Sequence, residues 1–167
     1  IDEDFHVYGV VRSEKAYLLP EGVEAEHIKS IDGDTDWKNT LENIHTVVHL
    51  AARAHVMKDS VSNPFNEYRK VNVMGSERLA QTAAHYGVKR FIFMSSVKVN
   101  GEGRSEPYKE ADIQNPQDPY GISKWEAEQA LHKIIDKTGM DLVVLRPPLV
   151  YGPGVKANFL RLLKAVD

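Results

Sequence analysis

Three short, nearly unbroken apolar runs punctuate this chain: residues 46–50 (TVVHL), 90–94 (RFIFM) and 141–146 (DLVVLR). Runs of that length and composition suit strands buried on both faces, as in a parallel sheet. Between the first two lies a long stretch, 64–86, in which Val71, Met74, Leu79 and Ala83 recur at roughly helical spacing before Gly87, a C-cap residue. Between the second and third, Asp118-Pro119 reads as N-cap and first position of a helix that runs to about Thr138 and stops at Gly139. Strands separated by helices pair in parallel through right-handed crossovers, which predicts an α/β fold: a three-layer parallel sheet. Shorter β-rich runs at 6–12 (HVYGVVR) and 26–31, a short helix at 36–43 and a last helical stretch at 157–166 complete the pattern.

Several function classes fall away on composition. The 167 residues suffice for one domain, and a net charge of −3 with no basic block argues against nucleic acid as partner. There are no cysteines, so disulfides, thiolate metal sites and cysteine nucleophiles are excluded together. No apolar stretch reaches the roughly 18 residues that span a bilayer, and the acidic, alternating opening IDEDFHVYGVVR is no signal peptide, so a cytoplasmic protein with no membrane partner is expected. The histidines share no acidic cluster, and no metal site is expected. His49 reads as a strand histidine beside the core, Trp37 and Trp125 as packing residues, and Glu126, Glu128 and Lys133 as a solvated helix face.

In parallel α/β sheets, functional groups gather at the carboxyl ends of the strands. Those ends here are Leu50-Ala51-Ala52, Ser95-Ser96 and Arg146-Pro147. Tyr120 and Lys124, four apart at the start of the next helix, share a face. A lysine ammonium near a tyrosine favours the phenolate, and a phenolate can take a proton from a sugar or alcohol hydroxyl. The hydrogen on the same carbon must leave as hydride; no side chain accepts one, so a nicotinamide cofactor is implied. Each piece alone is weak, since Y-x-x-x-K and Ser-Ser both occur by chance.

The order HLAA, NV-x-G, FIFMSS, YGISK, LRPPLVYGPG resembles the extended short-chain dehydrogenases of the nucleotide-sugar epimerase/dehydratase type, from about Phe5 to the end of the chain. The stretch around SSVKVNG and PQDPYGISKWEAEQAL is most similar to a bacterial UDP-glucose 4-epimerase-like subgroup that includes sugar 4-dehydrogenases of surface-polysaccharide synthesis. The resemblance implies a Rossmann-type domain holding NAD, with Ser96, Tyr120 and Lys124 as the catalytic trio. It further implies cofactor contacts from Asp34, Thr35, Leu50, Ala51, Ala52, Asn72, Lys124 and Pro147, and substrate contacts from Ser96, Lys98 and Asn158. Arg12 stands where an acidic residue would accept the ribose hydroxyls of NAD; NAD is expected, and an arginine there leaves NADP open. The implied partner is a nucleotide sugar.

The sequence also departs from that family. None of the eleven glycines forms the glycine-rich dinucleotide fingerprint, so the chain is expected to start at the second strand and to lack about 30 residues of a βαβ unit and the C-terminal substrate lobe. By itself it is expected to bind cofactor weakly, to be inactive, and to pair as a homodimer over its open sheet edges. Asn100 replaces a common tyrosine and Leu149 a common asparagine, which leaves the sugar open. Val97-Lys98 after Ser96, in place of an Asp-Glu pair, argues against dehydration. The readings that remain are a 4-epimerase acting by transient C4 oxidation, a 4-dehydrogenase or 4-keto reductase, and a non-catalytic dinucleotide sensor or scaffold on the same fold.

Overall fold

The computed structural model describes residues 5–12, 19–54, 63–152 and 165. Strand β1 (Val7–Arg12) pairs in parallel with β2 (Val23–Ile28), and β3 (Thr46–His49), β4 (Arg90–Met94) and β5 (Asp141–Leu145) form a second parallel sheet in the order β3-β4-β5. The α/β expectation is met with parallel strands throughout, in two pieces. Strand β2 begins earlier than its composition suggested because its register is set by β1, with Val7 opposite Val23 and Arg12 opposite Ile28.

Register places Val47, Phe91 and Leu142 in one row and His49, Phe93 and Val144 in the next. These rows face the helices: Phe91 and Phe93 are fully buried, and Val47, Leu142 and Val144 pack on the same core. Each buried phenylalanine contributes roughly 1.5–3 kcal/mol. Residues alternate along the strands to the opposite face, where Val48, Val143 and Leu145 stay open to solvent.

The long helical stretch is built in three parts: α2 (Pro64–Tyr68), a π-helical segment (Arg69–Gly75) and α3 (Ser76–His85). Asn63 caps its start by accepting the Asn66 N–H at 3.3 Å. Gly75 is required there, because a Cβ would lie 2.6 Å from Ile31 Cγ2. A short α1 (Lys38–Leu41) carries Trp37 and Leu41 into the core. Helix α4 (Pro119–Thr138) starts and stops where the sequence placed it: Asp118 Oδ1 accepts the Gly121 N–H at 2.7 Å, and Gly139 closes the end at φ 69°. Its buried stripe reads Gly121, Ser123, Lys124, Ala127, Glu128, Leu131, Ile134. Two ionisable residues in a buried helical stripe are unusual, since Lys and Glu are almost never fully buried unless paired.

The expected helix at 157–166 falls almost wholly outside the described residues, as does Asn158.

Candidate active site

Strand β4 delivers Ser95 and Ser96 to its carboxyl end, and a 3₁₀ turn (Val97–Val99) follows. Ser96 caps that turn by accepting the Lys98 N–H at 3.3 Å. Its hydroxyl also shares a hydrogen bond with Tyr120 from the first turn of α4. The two hydroxyls that sequence reasoning paired are therefore joined in the fold.

The electrostatics of Tyr120 differ from expectation. Burial holds its phenol above the usual tyrosine value, the Ser96 bond and the Lys98 cation pull it down, and Asp118 and Tyr68 push it up. The expected depression by Lys124 is absent. The ammonium instead lies 4.0 Å from the centroid of the Phe93 ring, a cation–π contact. Burial lowers Lys124 to about 8, against the opposing pull of Glu128.

Lys98, expected to contact substrate, is committed elsewhere: its ammonium bridges Glu102 and Asp118, and both carboxylates raise its pKa. Through Asp118 it steadies the N-cap of α4. Close packing reinforces this, because a Cβ on Gly121 would meet the Lys98 carbonyl oxygen at 2.9 Å.

Asn72 occupies the π-helical segment, 1% exposed. Its Oδ1 accepts the Arg53 N–H at 2.7 Å, and its Nδ2 donates to the Arg53 carbonyl at 3.0 Å and to Ser123 Oγ at 2.9 Å. Ser123 in turn donates to the Tyr120 carbonyl at 2.8 Å. The side chain expected at the cofactor is thus spent on fixing the loop after β3 and linking it to the head of α4. Single-turn π segments are frequent at functional sites.

His49 is neutral, its pKa driven to about 3 by burial and the Lys124 charge. Ser76 Oγ donates to the Asn72 carbonyl at 2.7 Å, so His49 Nε2 carries the proton in its 2.9 Å bond to Ser76. It is the core histidine the sequence suggested.

Glu128 overturns its expected place on a solvated face. It is 1% exposed; Ser95 Oγ donates to it, and Arg146 forks onto it through Nε at 3.0 Å and Nη2 at 2.6 Å. Glu126, by contrast, pairs with Arg69 near the surface. Sequence reasoning missed Glu128 and Ser123; the available signal was their placement on the Tyr120–Lys124 face, at i+4 from Lys124 and i+3 from Tyr120.

The remaining expected cofactor residues lie at strand ends. Leu50 is 63% exposed, Ala51 exposed and Ala52 half-buried, together an uncovered apolar shelf after β3. Pro147 accepts the Val97 N–H at 3.1 Å, joining the β4 and β5 exits. Arg12 is exposed at the end of β1. Asp34 is exposed while Thr35 is buried in the turn after β2, its hydroxyl accepting the Asp32 N–H at 2.9 Å. No cluster of three or more His, Asp or Glu suited to a metal occurs among the described residues.

The family model for the NAD dependent epimerase/dehydratase family matches residues 2–164. The chain belongs to that family. It is 49% identical over 142 residues to a UDP-glucose 4-epimerase of Vibrio cholerae, covering 84% of this chain and 43% of that protein. Among solved structures, MoeE5 in complex with UDP-glucuronic acid and NAD superposes with a TM-score of 0.77 at 32% identity, covering 96% of this chain and 52% of MoeE5. The UDP-glucose 4-epimerase of Thermotoga maritima with UDP-glucose gives 0.75 at 30% identity, covering 95% and 54%. The chain thus spans about half the length, or less, of the relatives it matches.

The residues present fit one part of a dinucleotide site. The open Leu50–Ala52 shelf suits a flat ring, and the buried Lys124 ammonium has no carboxylate bonded to it among the described residues. A glycine-rich diphosphate cradle is not among these 167 residues.

Proposed function

We propose that the protein carrying this chain is an NAD-dependent nucleotide-sugar 4-epimerase that works by transient oxidation at C4. The observation that carries the reading is the hydrogen-bonded Ser96–Tyr120 pair at the head of α4, with Lys124 one turn along the same face. The substrate class is a UDP-linked hexose or N-acetylhexosamine, supported by the relatives' names, UDP-glucose 4-epimerase and UDP-N-acetylglucosamine 4-epimerase.

In this reading Tyr120 Oη takes the proton of the C4 hydroxyl, and Ser96 Oγ holds the oxygen as it becomes a carbonyl. When bound, the oxidised dinucleotide would supply a two-electron acceptor for the C4 hydrogen. Lys124 holds the ribose hydroxyls. The buried, protonated Tyr120 of the resting structure suits the return step, in which it gives the proton back. Oxidation and reduction cancel, so NAD is needed only catalytically. Ser96, Tyr120 and Lys124 are the proposed catalytic residues; Leu50, Ala51, Ala52 and Pro147 are the proposed cofactor contacts, with Asp34, Thr35 and Arg12 toward the adenosine end. Asn72 serves by positioning.

The test is to incubate the full-length polypeptide with UDP-glucose, UDP-galactose and their N-acetylated forms, with catalytic and then stoichiometric NAD. Products are followed by NMR and NADH by absorbance. A C4 epimer without accumulating NADH is expected. Stoichiometric NADH with a keto sugar would replace the reading by a 4-dehydrogenase, and silence with every sugar nucleotide by a dinucleotide-binding scaffold.

A further inference from the structure

Helix α4 buries two ionisable side chains in one stripe, and the proposed function uses only Lys124. We propose that Glu128 is the positioning residue of the site, locking the carboxyl ends of β4 and β5 to the catalytic helix and holding Lys124 in its charged, substrate-ready form. The inference rests on the functional reading above.

The geometry that carries it is specific. The Glu128 carboxylate lies one helical turn from Lys124 and is 1% exposed. One oxygen accepts from Ser95, the residue directly before Ser96, and both oxygens accept the Arg146 fork, the residue directly before Pro147. Backbone bonds run between the same two strand ends: Ser95 N–H donates to the Leu145 carbonyl at 2.7 Å and Val97 N–H to the Pro147 carbonyl at 3.1 Å. Arg146 also lies 5.8 Å from the Trp125 ring centroid, which keeps its guanidinium against α4. Bidentate Arg–carboxylate pairs fix orientation as well as charge. The distance from Ser96 to Tyr120 is therefore governed by a carboxylate that touches neither.

The charged and titratable groups bearing on Lys124 are His49 from β3 and Glu128 from its own helix, with Arg146 of the β5 end bonded to Glu128. His49 is neutral, so Glu128 is the negative group favouring the ammonium. Replacing it by glutamine keeps the volume and an acceptor for Ser95 but removes that charge.

The experiment compares wild type, Glu128→Gln and Ser95→Ala in the full-length polypeptide. Three readouts are taken: kcat and KM on a UDP-hexose that wild type turns over, Lys124 titration by ¹³Cε-lysine NMR, and the unfolding midpoint. Expected for Glu128→Gln are a kcat reduced tenfold or more with KM within about threefold, as for an interaction realised only in the transition state, and a Lys124 titration moved to lower pH. Should that variant not fold, Ser95→Ala decides through the same kcat-against-KM split, with Lys124 titrating as in wild type. Wild-type kcat and an unmoved Lys124 titration in Glu128→Gln, or wild-type kcat in Ser95→Ala where only that variant folds, would overturn the inference. If wild type turns over no UDP-hexose, the functional reading fails by itself, and the Lys124 titration still decides the role of Glu128.

Discussion

Lys124 is 1% exposed and its pKa is down to about 8, so at neutral pH an ammonium is held where burial opposes it. The fall from 10.5 to about 8 corresponds to roughly 3 kcal/mol of cost. That cost is complete below pH 8 and fades as pH rises toward the unfolded value, because only between the two does the unfolded chain bind the extra proton. The lost Phe93 contact, worth about 1–2 kcal/mol, offsets part of any relief. Lys124→Met is therefore expected to stabilise the fold at pH 7 by about 1–2 kcal/mol in urea unfolding while removing turnover, the exchange of stability for function seen at strained sites. His49 behaves with the same sign: between pH 6.5 and about 3 the unfolded chain binds a proton that the native state refuses. Stability should fall with pH across that window by up to about 1.4 kcal/mol per unit, and His49→Gln should flatten the slope in midpoints measured at pH 7, 6 and 5. At this scale the sequence pointed to Ser96, Tyr120 and Lys124 as candidates, because two of them share a helix and the third follows a strand. It hid Glu128, whose partners Arg146 and Ser95 lie 18 and 33 residues away on two other elements.

Helix α4 was readable at both ends because its signals are local: a capping aspartate, a proline at the first position, a glycine at positive φ. Asp118→Ala removes the cap and the partner of Lys98 together, and should cost about 1–2 kcal/mol of stability. Gly121→Ala is expected to do more to function than to stability. Its new Cβ would press on the Lys98 carbonyl and lift the first turn, separating Tyr120 from Ser96. A drop in kcat of at least tenfold with a folded circular-dichroism spectrum would bear this out; unchanged kcat would refute it. The π-helical segment was invisible in the apolar spacing, because its extra residue answers to Asn72 reaching Arg53, 19 positions away. Leu50 and Arg146 lie beyond the strands they were expected to extend, since β3 ends at His49 and β5 at Leu145. The chain leaves both strands at the carboxyl ends where the site lies.

At the scale of the whole molecule, the described strands form a pair and a triplet with no pairing between β1 and β3. The face at Val48, Val143 and Leu145 is uncovered apolar surface. Parallel sheets are normally covered on both faces, so these 167 residues alone should associate in solution; a clean monomer by sedimentation would contradict that. The fold class was legible because buried parallel strands announce themselves by composition, whereas the split of the sheet is set by which strands pair across the chain, which composition does not encode. The account rests on reversible oxidation at C4, and one isotope experiment reaches it directly. UDP-galactose bearing deuterium at C4 is converted by the full-length polypeptide in ordinary water, and the UDP-glucose formed is examined by mass spectrometry and NMR. Deuterium retained at C4 is the result the account requires, because that hydrogen leaves and returns without meeting solvent. Deuterium lost to water would mean that C4 is deprotonated rather than oxidised, and the roles given to Tyr120, Ser96 and Lys124 would fall with it.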